Sequence, residues 1–266
     1  MNKRKTMKTT TKILAAAALS AAVCASQAAT LRVATEAAFA PFEYVNSETH
    51  ELEGFDLDLI RLLAKKAGYD TEITAMGFDA IIPGILTGTI DVGAAGFTIT
   101  PERAKRVLFT KPYYDSGLSI LVRKEDKNVI RSEKDLEGKK ICVQIGTSGA
   151  IYAGKVKGAK VTSYNALPDA YLELKNKGCR AVVADKPVTG YFMATKGDSD
   201  GSYYHLPLTL TAEQFGFCLS KKNPKLAKAL DKALEDAKAS GEYRALYEKY
   251  FGKYPQSAIK AAADAA

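Results

Sequence analysis

Short apolar runs rich in β-branched residues alternate along the chain with patterns of helical period. Residues 31–35 predict a first strand, and residues 57–67 predict a helix because their apolar positions recur three or four residues apart until Gly68. A strand over 71–75 and a helix over 79–86 follow in the same order. Such alternation is typical of a mainly parallel α/β sheet.

The same pattern begins a second time near residue 140, after a helix that Thr100 opens as N-cap with Pro101 at its first position. A strand over 140–145 leads into a glycine-flanked turn at 146–149 and then into a helix. The other predicted elements are strands over 90–96, 160–164, 180–184 and 215–220, a helix over 167–177, and two C-terminal helices, the first opened by Asn223 and Pro224. The repetition predicts two α/β lobes of similar plan.

One long excursion of the chain into a second lobe requires two connecting segments, which we place at 113–117 and 205–209. A deep cleft between two lobes is a natural site for a small ligand, and paired connections form a natural hinge. The expected divisions are a signal segment at 1–28, lobe 1 at 29–114 and 210–254, lobe 2 at 115–209, and a flexible tail at 255–266.

The first 28 residues have the order of a secretory signal peptide. Five bases precede an apolar run at 13–23, and small residues follow, with Ala28 as the expected last residue before cleavage. The run is too short to cross a hydrocarbon core of about 30 Å, which argues against a permanent anchor and for a periplasmic protein. Cys24 raises the alternative of an acylated lipoprotein, but Val23 is larger than the residue that such sites prefer before the cysteine.

Net charge does not indicate nucleic-acid binding once this segment is removed. The chain of 266 residues has a formal charge of +8, with 47% hydrophobic and 26% charged residues, a balance typical of a globular protein. Without the five bases of the signal segment, 33 bases face 30 acids, which leaves a charge of only +3. We therefore expect no nucleic-acid partner.

The chain offers few residues for catalysis or for a metal. His50 and His205 are the only histidines, which argues against a histidine-based triad or a histidine-rich metal site. Neither a phosphate-binding loop motif nor a dinucleotide-binding glycine motif is present. We expect no cofactor, no metal and no catalytic residue.

Ligands of open α/β sheets bind beyond the carboxyl ends of the strands. Among the residues there, Arg103 falls in the first turn of the helix that Thr100 opens. A cation at that end faces the positive pole of the helix dipole, at a cost of about 0.3–1 kcal/mol, which a bound carboxylate would reverse. By position alone, a solvated arginine paired with Glu102 or Asp115 is an equal alternative.

The other strand-end residues also have ordinary structural explanations. Asp185 is as well placed to cap a helix as to bind an ammonium group. Glu36, directly after a buried strand, is costly to bury unless it is paired. The remaining candidates suit core or turn positions equally well, and they are Phe39, Phe78, Gly96 and Thr98.

Six segments in order carry a resemblance to a known family. They are LRVATEAAFAPFEY at 31–44, EGFDLDLIRLLAKKAG at 53–68, FDAIIPGILTGTIDVGAAGFTITPERAKRVLFTKPYYDSG at 78–117, KKICVQIGTSGAIYA at 139–153, AVVADKPVTGYF at 181–192 and EYRALYEKYFG at 242–252. The chain resembles the extracytoplasmic solute-binding proteins of polar amino-acid ABC importers, family 3. The resemblance implies the α/β type II periplasmic-binding-protein fold, two lobes with two hinge crossovers that close on an amino acid. It also implies a monomer that docks on an inner-membrane ABC permease.

The resemblance assigns the two charged ends of the ligand to particular residues. Arg103 would clamp the ligand α-carboxylate, together with the backbone N–H groups of Thr98 and Ser148. Asp185 would hold the α-ammonium group, together with the carbonyl of Gly96 and the Thr98 hydroxyl.

The resemblance also implies that Phe39 and Phe78 sandwich the ligand side chain, and that Glu36 and Gln144 face its polar tip. Aromatic faces suit a guanidinium, by a cation–π attraction of about 0.5–2 kcal/mol. The charge of Glu36 favours a cationic tip and disfavours glutamate and aspartate. We expect arginine first and lysine or ornithine behind it, with glutamine or a cystine-type ligand as alternatives.

A second function is known on the same fold, that of the periplasmic cyclohexadienyl dehydratases, which are lyases. Such enzymes need an additional acid in the cleft to protonate a leaving group. The sequence shows no candidate beyond Glu36 and Asp185, so a binding protein rather than an enzyme is expected.

Three cysteines follow the signal segment. Cys142 and Cys179 belong to lobe 2, and an oxidising periplasm permits a bridge between them that closes a loop of about 37 residues. Cys218 belongs to lobe 1. Three buried free thiols are an equal alternative.

Overall fold

Two five-stranded sheets organise the chain in a computed structural model that describes residues 28–197, 199 and 201–255. The predicted signal segment up to residue 27, its Cys24 alternative and the predicted tail from 256 onward lie outside these residues. Within the described residues, no helix is both long and apolar enough to cross a membrane.

The elements are numbered here in chain order. Up to residue 116 they are β1 (Ala29–Thr35), β2 (Ala38–Phe39), β3 (Glu43–Val45), β4 (Leu52–Glu53), α1 (Phe55–Lys66), β5 (Tyr69–Ala75), α2 (Phe78–Thr87), β6 (Val92–Gly93), α3 (Pro101–Ala104), β7 (Leu108–Phe109) and β8 (Tyr114–Ser116). From residue 118 to residue 205 they are β9 (Leu118–Arg123), β10 (Lys140–Gln144), α4 (Ser148–Ala153), β11 (Lys160–Tyr164), α5 (Leu167–Lys175), β12 (Ala181–Asp185), α6 (Lys186–Phe192) and β13 (Tyr203–His205), with short helical turns at Lys124–Asp126, Glu133–Leu136 and Met193–Gly197. The last elements are β14 (Glu213–Phe215), β15 (Cys218–Leu219), α7 (Pro224–Ser240) and α8 (Glu242–Phe251).

Both large sheets are mixed rather than mainly parallel. The first has the order β5-β1-β6-β15-β7, and the second has the order β11-β10-β12-β9-β13. The strands β1 and β10 run parallel to both of their neighbours, whereas β15 and β9 run antiparallel to both of theirs. Parallel neighbours need a long crossover connection, usually a helix. The strands β9 and β15 instead follow directly after the short strands β8 and β14.

The chain crosses between the two sheets through a two-stranded ribbon. The strands β8 and β14 pair antiparallel with Ser116 opposite Glu213, and together they form what we call the crossover ribbon. The first crossing lies within the predicted segment 113–117. The predicted second segment, 205–209, still runs beside the second sheet, since the N–H groups of Leu206 and Leu210 donate to the carbonyls of Ile120 and Leu118 in β9. We call the part that carries the first sheet lobe 1 and the part that carries the second sheet lobe 2; their residue limits stay a prediction.

The amphipathic helices follow the sequence pattern closely, and the short elements do not. The helices α1, α2 and α5 begin and end within two residues of their predicted limits. The strand predicted over 90–96 shrinks to two residues, and the helix that Thr100 opens has only four. The strand β9, which is buried along its whole length, was not predicted.

The cysteines form one bridge. Cys142 of β10 and Cys179 are joined in a disulfide, with their Cα atoms 6.0 Å apart. Cys218 of β15 is free and buried, opposite Gly93 of β6 in lobe 1. Of the two alternatives left open by the sequence, the structure therefore has the bridge in lobe 2.

Candidate ligand-binding site

The carboxyl ends of strands from both sheets meet around one cavity, which we call the central cavity. The lining residues are Glu36, Phe39, Glu43, Phe78, Ala95, Gly96, Thr98, Arg103, Gln144, Thr147, Ser148 and Asp185. All nine residues proposed from the sequence are therefore brought together, and Glu43, Ala95 and Thr147 join them.

Arg103 contacts both lobes. Its backbone N–H donates to the Thr100 side chain at 3.2 Å, which is the predicted N-cap. One guanidinium nitrogen, Nη1, donates to the Thr98 carbonyl at 2.8 Å, and the other, Nη2, donates across the cleft to the Gly146 carbonyl at 2.9 Å. The residue is only 8% exposed. Arg103 is thus buried and pairs with neither Glu102 nor Asp115 in the described chain, so the solvated alternative is wrong.

Aromatic rings support the same guanidinium. Its central carbon lies 5.3 Å from the centre of the Phe78 ring and 5.4 Å from that of Phe97, and these two rings stack with centroids 4.5 Å apart. Burial lowers the pKa of Arg103, while the charges of Asp185 and Glu213 raise it. Packing against two rings therefore leaves a cation facing the cavity in a fixed position.

Asp185 does not act as a helix cap. It ends β12 immediately before α6, but its side chain makes no capping hydrogen bond in the described chain. Its Oδ1 instead accepts a hydrogen bond from the Ser116 hydroxyl at 3.0 Å. Burial raises the pKa of Asp185 to about 7, and the charge of Glu213 adds to this, while Ser116 and Arg103 act in the opposite direction. The carboxyl group is therefore available to the cavity and poorly compensated there.

Gly96 is required by the backbone at this point of the cavity. Its φ is +52°, and a Cβ atom there would lie 2.8 Å from the Phe39 ring. Its N–H donates to Asp56 Oδ2 at 2.8 Å, and the Tyr113 hydroxyl donates to the same oxygen. Burial raises the pKa of Asp56 to about 7, and both hydrogen bonds lower it. Asp56, in the first turn of α1, thus fixes the Gly96 turn, a role that the sequence analysis missed.

Glu36 and Gln144 face each other from opposite lobes. Glu36 Oε2 accepts a weak hydrogen bond from the Ala38 N–H at 3.3 Å, and Gln144 Nε2 donates to the Asn165 carbonyl at 3.1 Å. Burial raises the pKa of Glu36, while the Ala38 N–H and the Gln144 side chain lower it. Glu36 is therefore a buried carboxylate without a cationic partner in the described chain.

Glu43 is a further acid in the cavity that the sequence analysis missed. It begins β3 opposite Phe39, and both of its carboxyl oxygens are buried without a hydrogen-bond partner among the described residues. Burial raises its pKa well above the ordinary value, and the charges of Asp56, Glu36 and Asp185 add to the effect. An acid inside the aromatic run 39–44 was the available signal, because such burial is costly. The expectation that the cleft holds no additional acid is therefore wrong.

Glu213 of the crossover ribbon also contacts the site without lining the cavity. Its Oε2 accepts from the Thr98 hydroxyl at 2.9 Å and from the Ser148 hydroxyl at 2.8 Å. The sequence analysis missed it because nothing in the local sequence marks the pairing of its strand with β8.

The charges of the cavity are unequal. Among the described lining residues, the carboxyl groups of Glu36, Glu43 and Asp185 face one guanidinium, that of Arg103. No cluster of metal-ligating side chains occurs in the part of the chain that the structure describes. Such a cavity can hold a zwitterion by its two ends, and carboxyl groups remain that can pair with a cationic side chain.

Residues 31–253 match the family model described as bacterial extracellular solute-binding proteins, family 3. A relative in Campylobacter jejuni, named "Probable histidine-binding protein", is 36% identical over 222 residues, which are 83% of this chain and 84% of the relative.

Two solved structures are similar over most of the chain. An ancestral arginine-binding protein bound to arginine is 40% identical, with a TM-score of 0.79 over 84% of this chain and 98% of that one. The ancestral amino acid-binding protein AncCDT-1, a precursor of cyclohexadienyl dehydratase, is 35% identical, with a TM-score of 0.76 over 84% of this chain and 95% of that one.

Proposed function

Because the chain belongs to family 3 of the bacterial extracellular solute-binding proteins, we propose that its central cavity binds a basic amino acid, arginine first, for delivery to an ABC permease. The observation that carries the ligand class is the excess of acidic over basic groups, three carboxyl groups around one guanidinium. Arginine brings an ammonium group and a guanidinium against a single carboxylate, so it offsets part of the excess. Glutamate would increase the excess instead.

The two ends of the ligand fit the two ends of the cavity. Arg103 keeps its guanidinium buried and fixed by two carbonyl groups, so its remaining N–H groups can bind an α-carboxylate. Asp185 accepts a hydrogen bond from Ser116 and can accept others from an α-ammonium group. Thr98 and Gly96 line the same cavity.

The side chain of the ligand lies between Phe39 and Phe78 in this proposal, with Glu36 and Gln144 at its tip. Both rings are nearly buried and line the cavity, so they serve the core and the ligand together. The relative named for histidine and the ancestral protein bound to arginine both have ligands with a basic side chain. We extend the proposal to a periplasmic monomer that reaches this compartment by cleavage after Ala28.

A thermal-shift screen tests the ligand class. The protein is unfolded and refolded to remove any carried-over ligand, then melted with each common amino acid and with ornithine. A ligand at about 100 times its Kd stabilises the folded state by about 2.7 kcal/mol, so arginine should give the largest rise in melting temperature. The absence of a rise with arginine, lysine, ornithine and histidine would contradict a basic ligand.

Glu36→Gln separates the charge of the tip from its shape. A desolvated guanidinium that loses its counter-charge should bind much more weakly, whereas a neutral ligand such as glutamine should lose far less. Glu72→Gln is the matched control, because it makes the same change on an exposed position of β5, away from the cavity. Arginine affinity that is unchanged in Glu36→Gln would remove Glu36 from the site.

Glu43 favours a second candidate, a lyase of the cyclohexadienyl dehydratase class. Burial raises the pKa of the Glu43 carboxyl group, which favours the protonated form that a general acid must have. Incubation with prephenate or arogenate, followed by chromatography of the products, decides between the two functions. Turnover that Glu43→Gln abolishes would establish the enzyme, and unchanged substrate leaves the binding protein.

A further inference from the structure

The crossover ribbon contacts three residues of the central cavity. Ser116 and Glu213 lie opposite each other in the ribbon, yet their side chains bind the site. Ser116 donates to Asp185, and a single oxygen of Glu213, Oε2, accepts from the hydroxyls of both Thr98 and Ser148. The hinge and the ligand site are therefore joined by direct hydrogen bonds.

The Glu213 contact joins the two lobes. Thr98 follows β6 of the first sheet, and Ser148 begins α4 beside the second sheet. The lobes are closed on each other here, since Arg103 of lobe 1 donates to the Gly146 carbonyl of lobe 2. One carboxylate oxygen can accept from both hydroxyls only in this arrangement. Separation of the lobes must break at least one of the two hydrogen bonds.

The same carboxylate fixes the direction of the hydroxyl groups. A hydroxyl has one proton, and an ionised carboxylate only accepts. The hydroxyls of Thr98 and Ser148 both donate to Glu213, so neither donates to the other although their oxygens lie 3.3 Å apart. The lone pairs of both hydroxyls therefore remain available to a ligand. The other oxygen of Glu213 accepts from the Thr211 hydroxyl at 2.9 Å, which in turn accepts from the Leu118 N–H at 3.0 Å. In this series of hydrogen bonds, each donor therefore has a defined acceptor.

We propose that Glu213 is a positioning residue that holds the closed lobes together and sets the Thr98 and Ser148 hydroxyls as acceptors for the ligand ammonium group. The role rests on the proposed function, because it concerns closure on an amino acid. A contact that forms only between closed lobes acts after the ligand has first met the protein. It should therefore slow ligand release and leave the association rate nearly unchanged.

Two substitutions at the same position test the role. Glu213→Met keeps the length of the side chain and removes both acceptors. Glu213→Gln keeps one oxygen that can accept from both hydroxyls, and its amide can donate to Thr211. Gln214→Met is the matched control, because it removes a hydrogen bond of the same ribbon, to Asp115, on the exposed side. Ser148→Ala tests the same contact from lobe 2, since it removes the hydroxyl that donates to Glu213 and keeps the backbone N–H.

Rates are measured by the release and uptake of radiolabelled arginine, since the chain has no tryptophan to report binding. We expect release to be about 10- to 100-fold faster in Glu213→Met, the loss typical of hydrogen bonds to a charged group, and within a few-fold of the unmodified protein in Glu213→Gln and Gln214→Met. Ser148→Ala should also speed release, and the two changes together should be less than additive. Urea unfolding of each variant shows that the fold is kept.

The outcomes separate this role from the proposed function. If the unmodified protein binds none of the basic amino acids, the proposed function fails, and the role of Glu213 fails with it. If arginine binds and release from both Glu213→Met and Ser148→Ala stays within twofold of the unmodified protein, only the role of Glu213 is overturned. A slower association rate with unchanged release would likewise overturn it. A Glu213→Met variant that does not fold leaves the decision to Ser148→Ala.

Discussion

Arg103→Met should abolish high-affinity binding and leave the protein folded. Methionine keeps an apolar stem against the Phe78 and Phe97 rings but removes the guanidinium that contacts both. Truncation of one partner of a buried charge pair costs at least about 2–5 kcal/mol, so the Kd for arginine should rise about 30-fold to several thousand-fold. The carboxylate of the ligand would then be buried against the cavity wall without a cationic partner.

The structure also gives the cost to folding. Arg103 donates to the Thr98 carbonyl within lobe 1, and this hydrogen bond does not depend on closure. Hydrogen bonds of charged groups contribute about 1.5–3 kcal/mol, so the ligand-free variant should lose roughly that much in its free energy of unfolding. The hydrogen bond to Gly146 crosses the cleft, and its loss should appear in binding instead.

Titration calorimetry with arginine measures the first effect, and urea unfolding without ligand measures the second. Arg106→Met is the matched control, because Arg106 is exposed three residues further along the chain and does not line the cavity. Arg103→Lys keeps the charge without the planar guanidinium, so its affinity for arginine should lie between those of Arg103→Met and Arg106→Met. An arginine affinity in Arg103→Met within a few-fold of the unmodified protein would show that Arg103 is not the carboxylate clamp.

Three further predictions follow from the geometry. Replacement of Cys142 and Cys179 by alanine should lower the free energy of unfolding by about 3–4 kcal/mol, and three free thiols counted in denaturant would contradict the bridge. Gly96→Ala should weaken arginine binding at least about tenfold, because the left-handed turn and the Phe39 ring leave no room for a Cβ atom; unchanged calorimetry would refute this. Arginine affinity should rise as the pH increases through about 7, since Asp185 binds an ammonium group as its carboxylate; Asp185→Asn should bind more weakly with a flatter profile, and a flat profile in the unmodified protein would contradict the role.

The residues that the sequence could predict are those that follow regular elements. Glu36 and Asp185 stand at or just beyond the ends of strands whose apolar runs are recognisable, and such ends meet at one edge of a sheet. Arg103 was identifiable because the Thr100 cap marks where its helix begins. In each case a local pattern fixes where the residue lies in its element. The general geometry of α/β sheets then brings these residues to one site.

The residues that the sequence analysis missed depend on pairing between distant segments. Glu43 faces the cavity because β3 is held between β2 and β4, strands too short to show any period. Glu213 reaches Thr98 and Ser148 because its strand pairs with β8, about a hundred residues earlier in the chain. Such pairing is decided by tertiary contacts, and the local sequence carries no separate mark of it.

The buried acids connect the stability of the protein to its choice of ligand. Removing a carboxylate from water is costly, and the raised pKa values of Glu36, Glu43 and Asp185 show that the protein alone does not compensate this cost. A ligand with two cationic groups supplies the missing charge. The desolvation cost of the carboxyl groups is then offset when the ligand binds, and this offset strengthens binding. A neutral amino acid supplies only its ammonium group and leaves the tip uncompensated. The proposed preference for a basic side chain thus follows from the same desolvation that raises the pKa values of these carboxyl groups.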